Sequence, residues 1–320
     1  MKKILITGVT GQDGIFLVNK LTNLDQEFEI IGISRDKNES LFYNKLKLIS
    51  SKPPDSLHLL DLNLLNSNDV NNFISSYKPD QVYNLSGPSS VYESIENDSI
   101  HNKIRTIFSN LTESLISNNN LCRFYQASSS EMFKDNNGKK LNETSITLPV
   151  SPYAKAKFYN HKKVTELNKK YGWNIYSGIM FNHESEFRDN NYLFMKIINS
   201  AIRISQGKED KLILGSLEYI RDWSFAGDIA EAIYKINNHG NDESYIIGSG
   251  VGNSILSVVE IVFNFFKLNW QDFVIIDKNY LRPGDPKIII SDPSKLKNEL
   301  SWENTLSFES LINRCIESKL

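Results

Sequence analysis

Tyr153 and Lys157 stand four residues apart in the stretch Ser151-Pro152-Tyr153-Ala154-Lys155-Ala156-Lys157. A spacing of four puts both side chains on one face of a helix. Pro152 suits the first turn of such a helix, and Ser151 can cap it. On that geometry the Lys157 ammonium should favour the phenolate form of Tyr153 and lower its pKa toward neutrality. A phenol tuned in this way can take a proton from an alcohol while a hydride leaves the same carbon. Taken alone, the pair fits equally well a helix with one surface Tyr and one surface Lys. The elements around it supply the context.

Lys3 to Thr7 is a short apolar run, read as a buried strand. Gly8-Val9-Thr10-Gly11-Gln12-Asp13-Gly14 follows at once, and Ile15 to Val18 has a helical pattern. Strand, glycine-rich turn and helix form a cradle for a pyrophosphate, with close backbone approach and unpaired N–H groups at the helix start. Glu29 to Ser34 reads as the second strand. The residues after it normally choose between NAD and NADP: a carboxylate accepts from a ribose 2′-hydroxyl, an Arg suits a 2′-phosphate. Ser34-Arg35-Asp36-Lys37 therefore favours NADP through Arg35, while Asp36 keeps NAD open. Ser56 to Leu60 is a third strand ending in Asp61-Leu62, where a carboxylate can accept from an adenine amino group. Ser67 to Tyr77 reads as a helix capped by Ser67. Gln81 to Leu85 is a fourth strand. The small residues Ser86-Gly87-Pro88-Ser89-Ser90 after it let a cofactor lie close to the backbone. A helix through 104–117 leads to a fifth strand, Arg123 to Ala127, ending in Ser128-Ser129-Ser130-Glu131. Asn174 to Ile179 is a further strand.

Strands alternating with helices indicate an α/β protein with a doubly wound parallel sheet. Ligands of such sheets bind at the carboxyl ends of the strands. Gly8, Arg35, Asp61, Ser86 and Ser129 all fall there, and Ser129, Tyr153 and Lys157 form a trio of hydroxyl donor, base and cation. From about residue 192 the pattern is mixed: a helix through Ile204, a strand at Leu212 to Leu214, a helix from Asp228 to Ile236 and a strand near 245–248. Helices at about 256–266 and 308–317 follow. The Val258, Val262, Phe265, Phe266 stripe reads as core. The expected division is a dinucleotide-binding part over 1–180, with a returning segment near 222–240, and a smaller, interleaved α/β substrate-binding part over 181–320.

The 320 residues suffice for a substantial core, and the net charge of −2 gives no footprint for nucleic acid or an anionic membrane. No stretch is long and apolar enough to span a bilayer. The short apolar run after Met1-Lys2-Lys3 ends in Thr-Gly and is not read as a signal peptide. Five His and two Cys provide no metal-ligand spacing. Reduced Cys122 and Cys315 fit a cytoplasmic protein.

The chain resembles the extended short-chain dehydrogenase/reductase family and, within it, the GDP-mannose 4,6-dehydratases. The matching stretches are GVTGQDG at 8–14, residues 81–90, ASSSEMF at 127–133, Ser151 to Lys157, Gly178 to Ser185 (GIMFNHES), KLILGSLEYIRDW at 211–223 and YLRP at 280–283. The resemblance implies a three-step lyase reaction. Tyr153, helped by Ser129 and Lys157, takes the proton of the sugar 4-hydroxyl as the carbon-4 hydride passes to bound NADP. Glu131 removes the carbon-5 proton, made acidic by the new ketone. Water leaves from carbon 6, and the stored hydride returns there. The resemblance also implies cofactor contacts at Gly8, Thr10, Gly11, Gln12, Asp13, Gly14, Arg35, Asp61, Leu62, Leu85, Ser86, Tyr153, Lys157 and His183. Contacts to the GDP-sugar fall to Ser89, Asn182, Arg188, Lys196, Arg221 and Arg282. It implies a homodimer or homotetramer. Departures from the family pattern include Ser129 for Thr, Glu186-Phe187 for a Pro-containing turn, Ser216 for Asn, Gly284-Asp285-Pro286 for Thr-Glu-Val and Ser90-Val91 for His-Val. Other readings are a dehydratase or 4-dehydrogenase of another GDP sugar such as GDP-manno-heptose, a 4-epimerase or 4-keto reductase, which Glu131 argues against, and a non-catalytic dinucleotide-binding protein.

Overall fold

The computed structural model describes residues 1–34, 39–50, 56–89, 91, 94, 97, 99–281 and 284–320. Its centre is a seven-stranded parallel sheet. The strands are β1 (Lys2–Thr7), β2 (Phe28–Ile33), β3 (Leu57–Leu60), β4 (Gln81–Asn84), β5 (Arg123–Ser129), β6 (Ile175–Met180) and β10 (Ser244–Ile247), in the spatial order β10-β6-β5-β4-β1-β2-β3. The order reverses between β1 and β4, which is where a doubly wound sheet opens a crevice at its carboxyl edge. Alternation along β1 sends Ile4 and Ile6 to one face and Leu5 to the other. Both faces are covered by helices, so the strands read as near-continuous apolar runs.

On the first face lie α1 (Gln12–Thr22) and a helix from much later in the chain, α7 (Ala226–His239). On the second lie α3 (Ser67–Tyr77), α4 (Ser99–Ser117) and α5 (Pro152–Tyr171), with Val70, Ile74, Phe108, Leu111 and Trp173 in the core. The cap of α3 is Asn66, whose side chain accepts from the N–H groups of Asn68 and Asp69; Ser67, the expected cap, is already in the first turn. Ser151 does cap α5, accepting from Ala154 N–H at 3.0 Å.

A second core gathers α6 (Leu193–Ser205), α8 (Ile255–Phe265) and α10 (Phe308–Glu317) around Trp223, Val258, Val262 and Ile312. Phe265 belongs to none of this: it is 40% exposed, so the expected stripe is core at Val258 and Val262 and half-buried at Phe266. Two small sheets accompany these helices. One joins β7 (Asn182–Glu184), β9 (Ile220–Phe225), β11 (Gly252–Ser254) and β13 (Ile288–Ile289); the other pairs β8 (Leu212–Leu214) with β12 (Val274–Ile276). Phe225, at the end of β9, packs its ring edge-on to Phe16 of α1 at 5.0 Å and touches both cores. The chain returns to the first sheet through α7 and β10 and again through α9 (Ser294–Leu300) and the buried Trp302. Among the described residues no helix is long and apolar enough to cross a membrane, and no cluster of three or more His, Cys, Asp or Glu side chains could hold a metal. Cys122 and Cys315 are free thiols; Cys315 is buried and Cys122 half-buried.

Candidate active site

The turn between β1 and α1 is held open by its glycines. Gly8 has φ +71°, a left-handed conformation that costs an L side chain. A Cβ there would lie 2.9 Å from the backbone of Leu85 and Ser86. A Cβ on Gly14 would lie 2.4 Å from the Val9 carbonyl oxygen. Gly8 therefore lets the loops after β1 and β4 touch, and Gly14 lets the start of α1 pack against the turn at Val9. Gly11 precedes α1 without any side-chain cap, so the first N–H groups of the helix face the crevice with the positive end of its dipole. Thr10 Oγ1 meets Ser34 Oγ at 3.1 Å and ties this turn to the end of β2. These features fit the diphosphate of a dinucleotide.

Behind the turn, Asp13 and His183 form a half-buried ion pair, with His183 Nε2 at 3.0 Å from Asp13 Oδ1 and His183 Nδ1 at 2.7 Å from the Phe181 carbonyl. Burial penalises both charged forms. The mutual attraction nevertheless holds the Asp13 carboxyl below its ordinary range and the His183 imidazole above its own. Gln12 donates to the His183 carbonyl at 3.0 Å and accepts from Ser185 Oγ at 2.9 Å. His183, Asp13 and Gln12 thus clamp α1 to β7.

Ser129 ends β5, Glu131 sits in the single 3₁₀ turn that follows (Ser130–Met132), and Tyr153 and Lys157 face that turn from α5. Tyr153 is 7% and Lys157 5% exposed. Tyr153 lies beside Ser129, which favours its ionised form, and in the field of Glu131. Ser129 Oγ also accepts the Glu131 N–H at 3.3 Å. The expected action of Lys157 on Tyr153 is not what the structure holds. Lys157 Nζ is 5.7 Å from the Tyr153 ring centroid and donates instead to the Ala127 carbonyl at 2.9 Å. Burial pushes the Tyr153 phenol up, against the neighbouring Ser129, which lowers it, and burial brings the Lys157 ammonium down to about 8. The sequence conveys the spacing of the pair but not the competing acceptor on the neighbouring strand.

Glu131 lines a cleft together with Ser130, Asn182, Arg221, Asp285, Pro286 and Ile289. Arg221, 7% exposed, donates through Nη2 to Asp285 at 2.8 Å and through Nη1 to the Ile220 carbonyl at 2.9 Å. Arg188 lies apart from this cleft but close to Tyr153, whose phenol its charge favours in the ionised form. Its guanidinium stacks over the Tyr192 ring at 3.5 Å and approaches Glu184 at 3.3 Å. Tyr192 in turn shares a 2.6 Å hydrogen bond with Ser89. Lys196 is not gathered into either group. It donates to the Ile213 carbonyl at 2.9 Å, linking α6 to β8, with its ammonium 5.5 Å from the Tyr280 ring centroid. Asp61 is exposed just beyond β3, and Leu62, Leu85 and Ser86 are half-buried. Arg35 and Arg282 lie outside the described residues.

Three participants were not singled out from sequence. Tyr192 was visible only as an aromatic four residues after Arg188, and Asp285 only as part of a departure from the family pattern. Gln126, buried in β5, could have been found as an amide between Tyr125 and Ala127, two residues before the serine run.

Known proteins resemble this chain along nearly its whole length. The family profile described as GDP-mannose 4,6 dehydratase matches residues 5–315. GDP-mannose 4,6 dehydratase 2 of Arabidopsis thaliana is 33% identical over 330 residues, covering 100% of this chain and 87% of the plant protein. A GDP-mannose 4,6-dehydratase of Vibrio cholerae is 30% identical over 345 residues, with 97% of this chain and 91% of that protein covered. Among solved structures, the dTDP-glucose 4,6-dehydratase of Bacillus anthracis in complex with NAD superposes with a TM-score of 0.84 at 19% identity, covering 100% of this chain and 96% of the other. RMD from Pseudomonas aeruginosa complexed with NADPH gives 0.82 at 17%, with 99% and 98% covered. At those identities the two structures speak to the fold alone.

Proposed function

Because the chain belongs to the GDP-mannose 4,6-dehydratase family, we propose that it converts GDP-mannose to GDP-4-keto-6-deoxymannose with a tightly held nicotinamide dinucleotide. The observation that carries the reading is the convergence of a phenol, a hydroxyl, a carboxylate and an ammonium at the end of β5, with Tyr153 beside Ser129 and in the field of Glu131, whose N–H donates to Ser129 Oγ. When bound, the dinucleotide would accept the carbon-4 hydride and return it to carbon 6, and its oxidised ring would add a positive charge beside Tyr153. The N–H groups at the start of α1 and the glycines of its turn would hold the diphosphate. Tyr153 takes the proton from the sugar 4-hydroxyl, with Ser129 donating to the oxygen as it becomes a carbonyl. Lys157, held on the Ala127 carbonyl with its ammonium 5.7 Å from the Tyr153 ring centroid, would be the cation nearest the phenolate once it shifts toward it. Glu131 removes the carbon-5 proton, and the same side chain, now protonated, delivers a proton to the leaving 6-hydroxyl. Arg221 and Asn182 hold the nucleotide from the opposite wall, where a planar guanidinium suits diphosphate oxygens. Arg188 and Tyr192 close the site over Tyr153.

NADP is the favoured form. Arg35 follows β2 in the sequence, where a guanidinium suits a 2′-phosphate, while Asp36 keeps NAD open; Ser34, just beyond β2, has its hydroxyl engaged by Thr10. Titration with NADP and with NAD should show tighter binding of NADP; tighter binding of NAD would reverse the assignment. The activity itself is tested by incubating the purified protein with GDP-mannose. Loss of substrate and growth of a 4-keto product without net NADPH supports the reading. Stoichiometric NADPH would make the protein a dehydrogenase.

A further inference from the structure

Three polar side chains share one rung at the centre of the sheet, where burial on both faces favours Val, Ile and Leu. Thr7, Asn84 and Gln126 are register partners on β1, β4 and β5, and none is more than 1% exposed. Thr7 Oγ1 donates to Asn84 Oδ1 at 2.7 Å, Asn84 Nδ2 donates to Gln126 Oε1 at 2.7 Å, and Gln126 Nε2 donates to the Ala127 carbonyl at 2.8 Å. Each amide uses its oxygen toward one neighbour and its nitrogen toward the next, so the run has a single direction. At its start, the loop after β4 joins it: Ser86 N–H donates to Thr7 Oγ1 at 3.3 Å and Ser86 Oγ to Asn84 Oδ1 at 2.9 Å. At its end, the Ala127 carbonyl is the oxygen that also receives Lys157 Nζ at 2.9 Å.

We propose that Gln126, oriented by Asn84, is a positioning residue of the reaction: it shares the Ala127 carbonyl with Lys157 and so sets how the ammonium divides between that carbonyl and Tyr153. The proposal rests on the reading of Lys157 as the cation of the dehydratase. Two N–H hydrogens on one oxygen carry charge of the same sign, so the amide weakens the carbonyl's hold on the ammonium. Without Gln126 as donor, the carbonyl grips Lys157 more firmly and draws it from the phenol. The other groups acting here are Asp13, which favours the Lys157 ammonium from α1, and Ser129, Glu131, Arg188 and Tyr192 around Tyr153. Because Ser86 opens the run, the same hydrogen bonds couple the loop beside the dinucleotide crevice to the catalytic ammonium. A buried polar run of this kind fixes its members only while each link is made.

Two substitutions test this. Gln126→Met keeps the length and removes the amide; Gln126→Glu keeps an acceptor for Asn84 and removes the donor to Ala127. Each should lower kcat for GDP-mannose about tenfold or more with little change in KM. Each should also move the alkaline limb of the pH profile upward, because the ammonium is held longer. The titration of Lys157 Nζ, followed by NMR in protein carrying ζ-15N-lysine, should move upward with it. The Glu variant gives the larger displacement because it adds a negative charge, and it decides the matter should the Met variant not fold. A folded variant whose pH limb and Nζ titration both stay at the wild-type position overturns the proposal. A wild-type protein inert toward GDP-mannose overturns the dehydratase reading instead, and the Nζ titration then still decides whether Gln126 governs Lys157.

Discussion

At the scale of single residues, the site separates two jobs that a simple alcohol dehydrogenase would not need. On the proposed reading, Tyr153 handles the proton at carbon 4 and Glu131 the one at carbon 5. Tyr153→Phe should therefore abolish both oxidation and dehydration, lowering kcat about a thousandfold or more, since general base catalysis is worth roughly 10²–10⁴-fold. Glu131→Gln should stop water elimination while oxidation at carbon 4 persists, so a single-turnover experiment should show reduced dinucleotide accumulating. Normal dehydration by that variant would remove Glu131 from its role. Lys157 predicts a pH dependence with a definite sign. Its value falls from 10.5 to about 8 on folding. The unfolded chain therefore binds the extra proton between those limits, and stability rises with pH across that window. Burying the ammonium below pH 8 costs on the order of 3 kcal/mol. Activity, which needs the ammonium, should fall above about pH 8. Denaturant unfolding at both ends of the window should show a gain at the alkaline end that Lys157→Met loses. The gathering of Ser129, Tyr153 and Lys157 at the end of β5 was legible in the sequence through strand order and helical spacing. The acceptor of Lys157 was not, because a backbone carbonyl on another strand leaves no mark on residue type.

At the scale of elements, the strand-turn-helix at the start of the chain was readable because glycines, period and position agree. Its consequence is testable. Gly8→Ala would place a methyl 2.9 Å from the loop after β4 in a left-handed conformation. Loss of about 1–2 kcal/mol of stability is expected from the backbone strain. Thermal unfolding should register that loss, and weaker dinucleotide binding, measured by titration, should accompany it. The short elements were harder. The strands β7, β11 and β13 span two or three residues each and carry no period long enough to see. The ends of longer elements slipped by a residue or a few, as where β5 runs on through Ser128 and Ser129. The cap of α3 moved to Asn66 because an Asn side chain there reaches two N–H groups at once.

At the scale of the whole molecule, the two cores are woven together rather than strung in sequence. Residues 226–247 and 294–302 rejoin the first sheet, while β9 and β7 carry Arg221 and Asn182 to the cleft opposite Glu131. Glu186 pairs with Arg314 of α10 at 3.0 Å and so fastens the last helix to the segment that bears Arg188. Such long-range pairings depend on tertiary context and could not be derived from local pattern; what could be read was the alternation that places Gly8, Asp61, Ser86 and Ser129 at or just beyond strand ends. Arg221, in this frame, serves binding more than chemistry. Arg221→Ala should raise KM for GDP-mannose about tenfold or more with a smaller effect on kcat, which steady-state kinetics would resolve.

The internal return of hydrogen from carbon 4 to carbon 6 is the claim on which the rest depends. GDP-mannose carrying deuterium at carbon 4 tests it most directly, with the product examined by NMR and mass spectrometry. The geometry predicts a 4-keto-6-deoxy sugar with the deuterium at carbon 6 and none released into free reduced dinucleotide. Deuterium found in free NADPH, or a product without it at carbon 6, would contradict the account.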